Sequence, residues 1–206
     1  MDFKRLNTPK KIMDRILHYA VKQRFLSIFP RPSILYAKEY FKNKSIIFCE
    51  IGVFKGENSN SALKHLNIRN IYLIDPYAKY PDYESGGYYN KVIKAEKTAK
   101  QKLKDYRNKT HFIKEYSERA INEVPNCDFI YIDGNHIYPY VKKDLELYSK
   151  KLNKGGIIAG HDTQIPDVIK AVAEFAAKHK NFELNVESPD WWMVKKEKEP
   201  DRRKFK

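Results

Sequence analysis

The sequence predicts an α/β fold: a seven-stranded, mostly parallel sheet with helices on both faces, preceded by an N-terminal helical appendage. Three observations carry this. From residue 45 onward short β-rich runs alternate with segments of helical period, which places strands in one layer and helices on either side of it. The 206 residues, 42% hydrophobic and 14% aromatic, suit one domain with a sizeable core and exclude a chain disordered throughout. The most apolar run, Ser45 to Phe54, is interrupted by Glu50 and falls short of the roughly 18 residues that cross a bilayer.

The elements follow in order. From Ile12 to Phe41 the apolar spacing is helical (Ile12, Ile16, Tyr19, Ala20), broken at Pro30 and Pro32 and resumed from Ile34 to Phe41. The first strand is expected over Ser45–Val53, with a helix from Asn58 to Leu66 and a second strand over Asn70–Ile74. Asp82 to Gly87 reads as a loop, and Tyr89 to Tyr106 as a lysine-rich helix. A third strand over His111–Glu115, a short helix over Glu118–Val124 and a fourth strand over Asp128–Ile132 come next. Val141–Leu152 is amphipathic, and Gly155-Gly156 turn the chain into a fifth strand, Ile157–Gly160. A helix over Val168–His179 and strands near Phe182–Val186 and Trp191–Val194 complete the pattern, with no internal repeat.

The formal net charge of +14 belongs to the two ends. Residues 1–44 carry 11 Lys+Arg against 3 Asp+Glu, and residues 195–206 carry 7 against 3, so the stretch between them is nearly balanced. This divides the chain into a basic appendage (1–44), a domain (45–194) and a basic tail (195–206) that lacks apolar periodicity and is expected to be disordered. Such ends attract phosphate-rich partners through a salt-sensitive field, and they also serve simply as solubilising surface. The first residues are charged and carry no apolar secretory core, and Cys49 and Cys127 sit in apolar segments as buried thiols. A cytoplasmic location is expected.

In an open doubly wound sheet, ligands bind beyond the C-terminal strand ends. After the first strand comes Glu50-Ile-Gly52-Val-Phe-Lys-Gly56, whose glycines permit a tight turn and close approach of a ligand ahead of a helix. After the second comes Asp75, 19 residues past Gly56, near the roughly 20-residue spacing at which an acidic side chain meets ribose hydroxyls. Together they indicate an adenosine-containing cofactor. Glu50 stands where the dinucleotide fingerprint has its first glycine, and a carboxylate there repels a diphosphate.

The pattern E-x-G-x-x-x-G followed by an acidic residue ending the second strand resembles the class I S-adenosylmethionine-dependent methyltransferases. That likeness implies a Rossmann-like sheet whose last strand is antiparallel, and it sets Glu50 against the cationic aminoacyl end of S-adenosyl-L-methionine. A second block is Phe129-Ile-Tyr-Ile-Asp133-Gly-Asn-His136, then Tyr138, Val141, Asp144 and Gly155-Gly156-Ile-Ile-Ala-Gly160-His161-Asp162. It resembles the metal-dependent O-methyltransferases that include the macrolide-sugar enzymes and the cephalosporin-hydroxylase-like proteins. The resemblance spans about Ile46 to Val194. It implies that Asp133 and Asp162 ligate a metal with His161 as a third ligand, that His136 is the base, and that Glu115 and Ser117, at the end of the third strand, reach the adenine. Ser117 serves equally well as a helix cap.

The residue types suit this chemistry on their own account. Asp133 and Asp162 end the fourth and fifth strands and face each other across the crevice, a hard-cation site for Mg²⁺. Such an ion favours the alkoxide of a substrate hydroxyl, and His136, with an ordinary pKa near 6.5, suits uptake of the proton. Asp133 therefore borders metal, cofactor and catalysis at once. Tyr77 opens a group of tyrosines after Asp75 and is assigned to the cofactor; a packed lid or plain surface tyrosines fit that group as well. At least one of Trp191 and Trp192 is expected in the core.

The first expectation is therefore metal-assisted O-methylation of a small hydroxylated, sugar-like acceptor. The second is an RNA-modifying methyltransferase holding phosphates with its basic ends, although the sequence has neither a recognisable RNA-binding module nor N-P-P-[YF]. A binding module with a relic pocket and a nicotinamide-dependent oxidoreductase are the remaining alternatives; the intact strand-end residues oppose one and the missing G-x-G-x-x-G the other. A homo-oligomer is compatible with all four.

Overall fold

The structure is a computed structural model that describes residues 30–78 and 86–196. The expected helix from Ile12 up to residue 29, the middle of the loop after Asp75 and the tail beyond 196 lie outside the described residues. Among those described, the order is α1 (Pro32–Phe41), β1 (Ile46–Ile51), α2 (Glu57–His65), β2 (Ile68–Ile74), α3 (Gly86–Lys102) and a 3-10 turn (Lys104–Tyr106). Then come β3 (Thr110–Ile113), α4 (Ser117–Ala120), β4 (Cys127–Ile132), α5 (Tyr138–Tyr148), β5 (Leu152–Gly160), α6 (Pro166–Lys178), β6 (Phe182–Glu187) and β7 (Asp190–Lys195).

The strands form one sheet in the order β3-β2-β1-β4-β5-β7-β6. All pairs from β3 to β5 are parallel, and β7 runs antiparallel to both β5 and β6. The sheet is thus the expected Rossmann-like one with its last strand reversed. The reversal brings the start of β7, Asp190, beside the C-terminal ends of the parallel strands, where Gly160 pairs with Trp191.

Period-two alternation splits the core between the two faces. Phe48, Phe129, Tyr131, Ala159 and Trp192 pack beneath α1, α2 and α3. Cys49, Ile130, Ile132, Ile158, Trp191 and Met193 pack against α5 and α6. Both tryptophans are buried, and both cysteines are buried free thiols. Helix α1 belongs to the first face: Ile34, Ala37 and Phe41 are buried there, and Tyr36 lies 5.1 Å from Trp192 between ring centroids. A fully buried side chain of that size contributes about 1.5–3 kcal/mol relative to an exposed one.

Several boundaries differ from expectation for local reasons. Pro139 and Pro166, at the first helical positions, start α5 and α6 earlier than Val141 and Val168, because proline's fixed φ suits a first turn. Gly155-Gly156 lie inside β5, where the register with β4 slips, and do not form a turn before it. Gly86 and Gly87 open α3, and that helix ends at Lys102 before the 3-10 turn. Helix α4 stops at Ala120, short of Val124. No helix of the described residues is long and apolar enough to cross a membrane.

Candidate functional site

The ends of β1, β2, β4 and β5 converge on one crevice. Backbone bonds tie them together: Gly52 N–H donates to Ile74 O at 2.9 Å, and Asp133 N–H to Ile51 O at 2.8 Å. Gly52, with φ +84°, has no room for a side chain, since a Cβ there would lie 1.9 Å from the carbonyl oxygen of Asp133. Gly56, at φ +72°, then caps α2.

Glu50 is 1% exposed. Its carboxylate accepts from Asn58 Nδ2 at 3.2 Å and from Ser59 Oγ, both in the first turn of α2. Removal from water nevertheless pushes its pKa up to about 8, since these bonds and the Arg31 charge only partly offset the cost of ionising it. Glu50 lines a cleft of about 240 Å³ together with Arg31, Gly52, Asn58, Asp133, Asn135 and His136. Besides His136 Nε2, which is ion-paired, two buried polar atoms on this lining, Asn58 Oδ1 and Asn135 Nδ2, have no hydrogen-bond partner among the described residues. An acceptor and a donor left unpaired beside a buried carboxylate fit a ligand that brings an ammonium and other polar groups.

Asp75 holds the glycine loop. Its Oδ2 accepts from the N–H groups of Val53 (3.1 Å) and Phe54 (2.8 Å), and its Oδ1 from that of Tyr77 (2.8 Å). Oδ1 keeps one acceptor position, and Asp75 lines a smaller pocket of about 70 Å³ that adjoins the cleft through Gly52, Phe54, Asp133 and Gly134. Tyr77 is buried in the core of the first face, and its hydroxyl has no partner among the described residues. Ser117 opens α4, yet its hydroxyl makes no cap; it donates to Asp144 Oδ1 at 2.5 Å. Ser117, Asn135, Tyr140 and the buried Asp144 line a third pocket of about 40 Å³. Glu115 accepts from the N–H of Tyr116 at 2.7 Å and lines none of these three pockets.

Asp133 and His136 of the cleft, with Asp162, each bring one donor atom within 4.8 Å of the others. His136 Nε2 lies 3.0 Å from Asp162 Oδ2 and 3.6 Å from Asp133 Oδ1. The two carboxylates, Asp133 foremost, push the imidazole pKa up to about 9 against the opposing effect of burial. The value near 6.5 expected for a free imidazole is corrected accordingly: with both carboxylates uncompensated, His136 holds its proton at neutral pH. For Asp162 burial alone would raise the pKa, but His136 and His161 outweigh it and hold the carboxyl well below the usual range. His161 touches this group through Nδ1, 2.9 Å from Asp162 Oδ1. The imidazole that shares a donor set with both carboxylates is thus that of His136, with His161 adjoining. Two carboxylates and an imidazole suit a divalent cation.

Sequence reasoning missed Arg31. This residue precedes α1, is 12% exposed in its side chain, and reaches across to Asp133 Oδ2 (3.6 Å) and Asp190 Oδ1 (3.7 Å). Its Nη1 donates to the hydroxyl of Tyr131 at 2.9 Å. That hydroxyl donates on to Asp190, which Ser33 holds from the start of α1. Pro-Arg-Pro carries no local signal for this role.

Residues 49–163, more than half of the chain, match the protein family described as "Methyltransferase domain". An uncharacterised protein of Acanthamoeba polyphaga mimivirus, R132, is 29% identical over 164 residues, spanning 71% of this chain and 68% of that one. Among solved structures, a Staphylococcus aureus protein assigned as a caffeoyl-CoA O-methyltransferase superposes with a TM-score of 0.60 at 17% identity, covering 90% of this chain and 98% of that one. An rRNA methylase from Streptococcus thermophilus does so with a TM-score of 0.56 at 17% identity, covering 82% and 99%. At such identities the shared feature is the fold, and it serves acceptors of both kinds.

Proposed function

The chain belongs to this methyltransferase family, and from that premise we propose that it uses S-adenosyl-L-methionine to methylate a hydroxyl of a small, sugar-like acceptor with the help of a divalent metal. The observation that carries the reading is the buried Glu50 beside unpaired Asn58 Oδ1, in one cleft with Asp133 and His136, which form a cluster with Asp162. Bound S-adenosylmethionine would supply an activated methyl group, so the protein's task is mainly orientation. Glu50 and Asn58 would receive the ammonium. Asp75 would meet the ribose through its remaining acceptor position, with Gly52, Gly56 and the Tyr77 backbone shaping the loop around it. Ser117 and Asn135 border the adenine end, and Glu115 supports that strand end through its bond to Tyr116.

Asp133 and Asp162, with the adjoining His161, would hold Mg²⁺, whose charge would favour ionisation of the acceptor hydroxyl. His136 is the group placed to take the hydroxyl proton. It becomes free to do so once positive charge counters the two carboxylates that now retain its own proton. Changing His136 to alanine is expected to lower turnover by at least about 100-fold while leaving S-adenosylhomocysteine affinity within about threefold; a fully active variant would remove it from the mechanism.

The cofactor assignment is tested by thermal unfolding with saturating S-adenosylhomocysteine, with NAD⁺ as the control. Ligand at about 100 times its Kd adds roughly 2.7 kcal/mol, a shift of a few degrees. A shift with S-adenosylhomocysteine and none with NAD⁺ is expected, with a further increment on adding Mg²⁺. No shift in any mixture would leave the fold without this function. Sugar and RNA acceptors are then screened side by side, because most of the basic residues on which an RNA reading draws lie outside the described part of the chain.

A further inference from the structure

We propose that Arg31 forms a carboxylate-binding subsite in the cleft and receives the α-carboxylate of the cofactor's aminoacyl end while Glu50 receives its ammonium. The inference rests on the cofactor reading above and adds to it a residue from outside the 49–163 match. An aminoacyl group is a zwitterion, and one anionic side chain answers only half of it. The Glu50 carboxylate and Asn58 Oδ1 are acceptors, matched to N–H donors. Donors for a carboxylate must come from elsewhere on the lining. Asn135 Nδ2 offers a neutral donor and His136 is ion-paired with Asp133 and Asp162, so the cation on the lining with donors to spare is the guanidinium of Arg31.

The guanidinium is both held and unfilled. Of its five N–H donors, one is hydrogen-bonded among the described residues, to Tyr131 Oη at 2.9 Å. Asp133 and Asp190 stand at 3.6 and 3.7 Å, close enough to attract the charge but beyond hydrogen-bond length. From the protein side Tyr131, Asp190 and Ser33 fix the group in one position, and its carbon lies 5.6 Å from the centroid of the Tyr131 ring. A planar fork fixed in advance, with donors to spare, suits a carboxylate better than a flexible ammonium does.

The test compares two ligands by calorimetric titration: S-adenosylhomocysteine and its decarboxylated analogue, which keeps the amine and the adenosine. The wild-type protein is expected to prefer the first by about 10- to 100-fold. In Arg31→Met, S-adenosylhomocysteine binding is expected to fall by that factor while the analogue stays within about threefold, so that the preference disappears; Arg31→Lys recovers part of it. Retained binding of the analogue shows that the variant is folded. A variant that keeps the wild-type preference, or that loses both ligands alike, overturns the subsite. So does a variant with unchanged S-adenosylhomocysteine affinity and a raised KM for an acidic acceptor, which would assign the carboxylate to the acceptor. A wild-type protein that binds neither ligand overturns the cofactor reading itself.

Discussion

Replacing Glu50 by glutamine is expected to stabilise the ligand-free protein at pH 8 and to weaken S-adenosylhomocysteine binding by about 100-fold or more. The two effects share one cause. Glu50 is almost fully buried, and burial pushes its pKa from the ordinary carboxylic value up to about 8. Between pH 4.5 and 8 the folded protein therefore keeps a proton that the unfolded chain has lost. Stability from this group is fully present below about pH 4.5 and drains away as pH rises toward 8, because the unfolded state binds fewer protons. Glutamine cannot ionise, so the difference between variant and wild type should grow across that window, reaching roughly 1–3 kcal/mol at pH 8. Asp144, pushed up to about 7 by burial, drains stability in the same direction, but it is present in both proteins and cancels in the difference.

Ligand affinity should move the opposite way. If an ammonium is received by the ionised carboxylate, binding releases the Glu50 proton, and wild-type affinity climbs between pH 6 and 8. The glutamine variant should bind weakly with no such climb. Unfolding scans at pH 5, 6, 7 and 8, with and without S-adenosylhomocysteine, measure both. A stability difference that stays constant across pH would mean that Glu50 is already ionised in the empty cleft.

That contrast also shows what the sequence could and could not disclose. That Glu50, Gly52, Asp75, Asp133 and Asp162 lie at one edge of the sheet was legible because an open α/β sheet delivers the C-terminal ends of its parallel strands there, whatever the details of packing. The alternation that sends Phe48 to one face and Cys49 to the other is likewise written in period-two text. Arg31 was not legible: its contact with Tyr131 spans 100 residues, and it depends on α1 docking on the sheet and on antiparallel β7 bringing Asp190 back beside the strand ends. The same holds for Asn58 and Asn135, polar residues on a helix and a loop whose unpaired atoms become informative only when the cleft closes around them. How the imidazoles of His136 and His161 lie was not legible either: Asp162, at φ +65°, stands between the two. The proton affinity of His136 followed from the same placement, since two carboxylates within 4 Å change an imidazole more than any neighbour in sequence does.

Gly52→Ala should be the most destructive single-methyl change at the glycines whose surroundings are described. The added carbon would lie 1.9 Å from Asp133 O, 2.4 Å from Asp133 C and 2.7 Å from Gly134 N, all backbone atoms with no rotamer to yield. The residue also sits at φ +84°, which alone costs an L-side chain about 1–2 kcal/mol. Retreat is blocked on both sides: Gly52 is bonded to Ile74 and Asp133 to Ile51, so separating the two segments breaks the junction of β1, β2 and β4 where the cleft begins. A loss of at least about 3 kcal/mol is expected by urea unfolding. Gly56→Ala is the matched control. Its φ is +72°, but the nearest atoms to an added carbon are 3.4 Å away on Ala99, so backbone strain of about 1 kcal/mol should be the main cost. If the two variants were equally stable, contact with Asp133 would not be what demands glycine at 52. If Gly52→Ala is far weaker, as the distances require, the glycine fixes Asp133 against the cofactor loop, and the fragment of Gly52→Ala that still folds should lose S-adenosylhomocysteine binding and any Mg²⁺ response together.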